Sequence, residues 1–196
     1  IRYPSVVPEQ GNRPITATGL LAIPDTGGHS FPLVSYQHGT VYLKSQVPSQ
    51  PENSTETRIM LAQFAGQGHV VIGADYFGMG DSPEPEGYMV KGSHQQATFD
   101  MLTASRAGLA SLGIETPKLF LAGWSHGVFV TMAFLEKLDH DLRTPIGTMA
   151  AVLELLRGDV QAVPSHAEAV AVLDRQVARL HSLTESLHYF SQRVGR

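Results

Sequence analysis

The composition of this chain breaks near Leu138, and one packing scheme cannot serve both sides of the break. Of 19 glycines and 12 prolines, 16 and 10 lie before Leu138, together with all four lysines and 13 of 15 aromatic residues. The 58 residues from Asp139 onward have arginine as their only cation and Tyr189 and Phe190 as their only aromatics. Frequent turn formers between β-rich runs suit alternating strands and helices. Their scarcity, with apolar residues at three-and-four spacing, suits long helices. Two units of different origin are therefore expected, 1–138 and 139–196.

The balance of residue types excludes several functions. The net charge is −4, which offers no basic surface for nucleic acid. There is no cysteine, so disulfides and thiolate metal sites are absent. No apolar run has the length of a membrane span. The opening IRYPSVVPEQ has neither the basic nor the apolar region of a signal peptide, and its lack of Met implies a processed or truncated start.

In the first unit, ITATGLLAI (15–23), FPLVSYQ (31–37), HVVIGAD (69–75) and KLFLAG (118–123) read as strands. Residues 56–66 and 94–112 read as helices between them. That order implies a parallel sheet with helical crossovers. The stretch GWSHG, 123–127, then falls between a buried strand and a helix. A strand–turn–helix of this kind lifts a serine hydroxyl above the sheet edge. Gly123 and Gly127 let the turn close. The His126 N–H, at a helix N-terminus, would meet a developing oxyanion. HGT, 38–40, ends an earlier strand where a second donor belongs, and Gly39 permits close backbone approach. His38 is read as a loop brace, not as a base.

The run FPLVSYQHGT, with DYFGMGDS, GYMVKGSHQQATFDML and KLFLAGWSHG, resembles the N-terminal half of an α/β-hydrolase of the esterase/secretory-lipase type. The resemblance implies Ser125 as nucleophile and an oxyanion hole from His126, Gly39 and Thr40. It implies loop-bracing roles for Asp75 and Asp81. Val128 stands where a further glycine is common, and is expected to narrow the elbow. The family's order is serine, then acid, then histidine, with strands between. No β-like run follows the elbow helix here, so the sheet is expected to stop short at an apolar edge and the triad to lack its acid and base.

The second unit opens with HDLRTPI, 140–146. Leu135, Leu138, Leu142, Ile146, Met149, Leu153 and Leu156 form one helical seam. Val170, Leu173, Val177, Leu180, Leu187, Phe190 and Val194 form another after the turn RGDVQAVPS. Ser165 to Glu168 fits a capping box. Two antiparallel helices with such stripes need a second copy, giving a dimeric four-helix bundle through residues 129–194. The helix could be continuous from about 128. His140 falls off the seam and is expected to face solvent. Pro145 removes one helix N–H.

This unit resembles the dimerisation and phosphoacceptor segment of sensor histidine kinases, with HDLRTPI as the H-box. The resemblance implies His140 as phosphoacceptor, Asp141 as assisting acid/base and Thr144 as a phosphatase-assisting residue. It implies a kinase catalytic domain and a response regulator as partners, and a cytoplasmic setting. The chain itself is expected to carry no cofactor and no metal. ATP and Mg²⁺ would act only through a catalytic domain supplied in trans. The fold expected overall is a partial α/β-hydrolase sheet followed by an all-α helical hairpin. A second reading keeps the whole chain as a carboxylic-ester hydrolase. In it Asp159, in a loop resembling the one that carries the catalytic acid, and His181 or His188 complete a triad with Ser125.

Overall fold

The computed structural model describes residues 1–157 and 166–187. They form two compact units, Ile1–Leu135 and Glu136–Arg196, whose boundary falls three residues before the compositional break.

The first unit is built on one five-stranded sheet. Its strands are β1 (Arg2–Val7), β2 (Arg13–Ala22), β3 (Leu33–Gln37), β4 (Val70–Ala74) and β5 (Leu119–Gly123), in spatial order β1-β2-β4-β3-β5. β3, β4 and β5 run parallel, whereas β1 and β2 add antiparallel. The expected parallel strands are present, and the two antiparallel strands extend them into a mixed sheet. A short connection suffices between antiparallel neighbours, and only five residues separate β1 from β2. Every residue of β3 and β4 is buried; β4 is apolar throughout, and in β3 the two polar side chains pair, Gln37 Nε2 donating to Ser35 Oγ at 2.8 Å.

β1 is an addition to the strands read from sequence. Tyr3, Ser5 and Val7 alternate inward along it. Tyr3 donates its hydroxyl to the Ala97 carbonyl at 3.1 Å, and Ser5 Oγ donates to Asp100 at 2.6 Å. Both partners lie on α2 (Lys91–Ser111). The other connecting helix is α1 (Thr55–Phe64), whose N-cap Ser54 accepts from the Thr57 N–H.

Chain order explains where a site can form. From β3 the chain crosses through α1 to β4 on one side, then through α2 to β5 on the other. The carboxyl ends of β3 and β5 therefore lie side by side at a topological switch point, where open α/β sheets hold their ligands. The register closes with Gln37 opposite Gly123. Among the described residues β5 pairs only with β3, leaving it as an edge.

α3 (His126–Arg157) starts within the first unit, and the boundary between units falls inside it. Pro145 lies within α3. α4 (His166–Leu187) has Glu168 in its first turn. Gly158, Asp159, Pro164, Ser165 and His188 lie outside the described residues. Among those described, no helix is long and apolar enough to cross a membrane.

Candidate functional site

The elbow is held by backbone on every side. Ser125 adopts φ +51°, a left-handed conformation that serine enters only at a cost of about 1–3 kcal/mol. Around it Trp124 N–H donates to the Gln37 carbonyl at 3.2 Å. Gly127 N–H donates to the Trp124 carbonyl at 2.7 Å, and Val128 N–H to the Ser125 carbonyl at 2.9 Å. A Cβ on Gly127 would stand 1.9 Å from the Gln37 oxygen, and one on Gly123 would stand 2.4 Å from the Gly127 oxygen. Both glycines are therefore demanded by close approach of main chain. Val128 is exposed.

His126 is the first residue of α3, and its N–H donates to nothing among the described residues. The amide of Thr40 is likewise unengaged. Gly39 differs from expectation. Its N–H donates to Glu56 Oε1 at 2.8 Å, and the Tyr36 hydroxyl donates to the same carboxylate oxygen. Gly39 is thereby corrected from an oxyanion donor to an anchored turn residue, and the available donor of the stretch is Thr40. Burial, then the bond to Glu56, raises the Tyr36 hydroxyl far above its ordinary value, so it stays a donor. Glu56 is a site-supporting residue that sequence reasoning missed. Nothing in the run STETRIM marks a carboxylate destined for an amide 17 residues earlier.

His38 braces the loop. Its Nδ1 contacts the Gly39 carbonyl at 2.8 Å and its Nε2 the Asp75 carbonyl at 3.2 Å. The ring stacks on Tyr76 at 4.0 Å, and burial lowers its pKa. Asp75 is fully buried, accepting from Thr18 Oγ1 at 2.5 Å and from the Ser49 N–H at 2.8 Å. Asp81 pairs with Arg2 at 2.5 Å. Both aspartates brace loops.

In the second unit the His140 side chain is 76% exposed, so the expectation that it faces solvent holds. Its Nδ1 lies 3.4 Å from Asp141 Oδ1, and Lys137 lies 3.5 Å from the other Asp141 oxygen. That leaves Nε2 as the outward nitrogen. Thr144 donates its hydroxyl to the His140 carbonyl at 3.0 Å, one helical turn away. Ile146 and Leu153 on α3, and Val170 and Val177 on α4, are exposed at heptad spacing. His181 lies on α4, but its side chain, like Asp159 and His188, is outside what is described. Among the described residues no group of three His, Asp or Glu could hold a metal ion.

Comparison with known proteins finds two kinds of similarity. Residues 132–194 match the His Kinase A (phospho-acceptor) domain, a family whose members typically dimerise. The fold before it matches α/β-hydrolases. The rice cell wall degrading esterase LipA from Xanthomonas oryzae is 30% identical, with a TM-score of 0.64 over 72% of this chain and 37% of that one. A Legionella pneumophila protein proposed to be a hydrolase is 25% identical, with a TM-score of 0.66 over 93% of this chain and 51% of that one. Lipase A from Candida antarctica, 18% identical with a TM-score of 0.50, shares the fold over 67% of this chain and 31% of its own. The chain thus spans 37% of the esterase's length. A search of curated proteins found no match. The chain is an α/β-hydrolase-type sheet followed by long helices carrying a histidine-kinase phosphoacceptor segment.

Proposed function

We propose that the first unit is the nucleophile-bearing half of an esterase-type acyl-transfer site. The observation that carries this is Ser125, held at φ +51° between β5 and α3 with Gly127 against the end of β3. Ser125 Oγ would attack an ester carbonyl, and the N–H groups of His126 and Thr40 would take the developing oxyanion. The attack needs a base to accept the serine proton. His38 is committed to backbone carbonyls and held neutral by burial. The unit therefore lacks a recognisable base, and turnover should be poor.

Intact mass after exposure to a fluorophosphonate tests this. A slow adduct is expected, absent in Ser125→Ala, with ester turnover about 10⁴-fold below that of a complete triad. Complete absence of the adduct would mean that the elbow is not a nucleophile. Rapid labelling with multiple turnovers, lost in His181→Ala or His188→Ala, would instead establish the whole-chain hydrolase, with Asp159 as its acid.

A second reading rests on the match over 132–194 and the exposed His140 beside Asp141. The second unit would dimerise through residues 129–194 and accept phosphate at His140. Nε2 would form the new bond to the γ-phosphorus of ATP as the bond to ADP breaks, while Asp141 holds the proton on Nδ1. ATP and Mg²⁺ would be held by a catalytic domain acting in trans, and a response regulator would take the phosphoryl group. Thr144 would assist its hydrolysis. The expected result with ATP, Mg²⁺ and such a catalytic domain is an acid-labile label lost in His140→Gln and at least tenfold slower in Asp141→Asn. A chain that sediments as a monomer at micromolar concentration and takes no label overturns this reading.

A further inference from the structure

Beside the elbow is a pocket whose imidazole side chains have no part in the chemistry above, which uses only the main-chain N–H groups of Thr40 and His126. Thr40, Tyr76, Met79, Tyr88, His94 and His126 are among the residues lining it. His94 comes from the first turn of α2, and His126 directly follows Ser125. Their rings meet edge to face with centroids 4.8 Å apart. His94 is 2% exposed and His126 is 9% exposed. Neither nitrogen of His94 has a hydrogen-bond partner among the described residues, and nor does Nε2 of His126.

Leaving one such group buried and unpaired costs about 1–3 kcal/mol. The ring contacts of His94 and His126 with Tyr76, Tyr88 and Phe129 return about 0.5–1.5 kcal/mol apiece. Core packing alone is therefore a poor account of two imidazoles placed at one cavity. A ligand that hydrogen-bonds both is a better one.

The chemistry of the wall selects the ligand. Burial, then the neighbouring His126, pushes His94 down to about 3, and burial also lowers His126. Both rings are neutral at ordinary pH and bring no charge to hold a carboxylate or phosphate. Each neutral imidazole offers one donor and one acceptor. A hydroxyl group matches that pair, because it donates to one ring and accepts from the other. Tyr76, Phe77 and Met79 add apolar surface for a carbon chain.

We propose that His94 and His126 form a subsite for a neutral alcohol, the alcohol portion of the ester that Ser125 attacks. The link to Ser125 rests on the acyl-transfer reading, whereas alcohol binding by the two rings does not.

Long-range ¹H–¹⁵N spectra of the imidazoles in the full chain, titrated with butan-1-ol and separately with butyrate, test the subsite. Saturable shifts at the His94 and His126 nitrogens are expected with butan-1-ol. Butyrate should bind at least tenfold more weakly. In His94→Phe, which keeps an aromatic ring, the His126 shift should be lost. His126→Phe, which keeps the main-chain N–H, serves as the reciprocal variant if His94→Phe does not fold. Butyrate binding as well as butan-1-ol, an unchanged response in the variant, or no shift from either ligand overturns the subsite. The fluorophosphonate result is read apart from these. Shifts without an adduct remove the acyl-transfer reading and keep the alcohol site. An adduct without shifts does the reverse.

Discussion

Gly127→Ala is expected to destabilise the first unit by about 3–5 kcal/mol, at the upper end of what one substitution does. The added methyl would stand 1.9 Å from the Gln37 oxygen, 2.7 Å from its carbon and 2.9 Å from the His38 oxygen. All three are main-chain atoms, so no side chain can swing aside. Gln37 cannot retreat freely either, because it pairs with Gly123 and its carbonyl accepts the Trp124 N–H. Relief must therefore open the β3–β5 ladder at the elbow itself. Gly147→Ala is the contrast. Nothing lies within 4 Å of its Cβ position, and it is exposed within α3. There the same change should stabilise by about 1 kcal/mol through helix propensity and reduced unfolded-state entropy. Urea unfolding followed by the fluorescence of Trp124, the chain's sole tryptophan, reads the first effect, and far-UV dichroism reads the second. Equal stability of Gly127→Ala and the parent chain would mean that the elbow is not closed as described.

The elbow was legible because its determinants are local. A buried strand, two glycines bracketing a serine and a helix follow one another within about thirty residues, and each carries its own pattern. The H-box was legible for the same reason, since HDLRTPI and the seams flanking it are contiguous. What escaped depends on contacts across the sheet. β1 carries Pro4 and a polar inward residue, Ser5, whose partner Asp100 is 95 positions away. The Gly39 amide looked free because Glu56 reaches it only after α1 folds back beside β3. His94 looked like any polar residue in the first turn of an amphipathic helix, and only the fold sets it against His126. The orientation of β2 was not legible because strand–helix alternation, which implies parallel pairing, begins only at β3, whereas β2 pairs antiparallel with β4.

The two units make different demands on what lies around them. The relatives of the first unit are two to three times as long as the stretch they share with this chain. Here the region after the elbow is occupied by the phosphoacceptor segment. A nucleophile elbow keeps its geometry through its own backbone contacts, which all lie within Ile1–Leu135. Its chemistry needs groups from further along the fold. In the phosphoacceptor segment His140 and Asp141 are adjacent, so the two groups on which the proposed phosphorylation rests lie on one helix.

Acidification should weaken the first unit before its carboxylates are neutralised. His94 and His38, each 2% exposed, are held neutral chiefly by burial, with His94 at about 3 against an ordinary 6.5. Above pH 6.5 both rings are neutral whether the chain is folded or not, so they add no pH dependence. Below it the unfolded chain takes up protons that the folded rings refuse, and stability falls as pH falls. For His94 this costs about 1.4 kcal/mol per pH unit until its folded value of about 3 is reached, and His38, lowered by burial, adds in the same direction. His126, also lowered, acts in the same direction. Neighbouring carboxylates do not reverse the sign: Glu56 and Asp75 favour protonation of His38 less than burial opposes it, and His94 and His126 are lowered although Glu86 lines the same pocket. A domain with about 5–15 kcal/mol of stability would lose much of it between pH 6.5 and 4.5. Melting curves read at Trp124 across that range should show the midpoint falling steeply. In His94→Phe, whose ring takes no proton in either state, the slope should become clearly shallower. A midpoint that stays level from pH 7.5 to 5 would mean that these rings are protonated in the folded protein, and that the pocket beside Ser125 is charged rather than neutral.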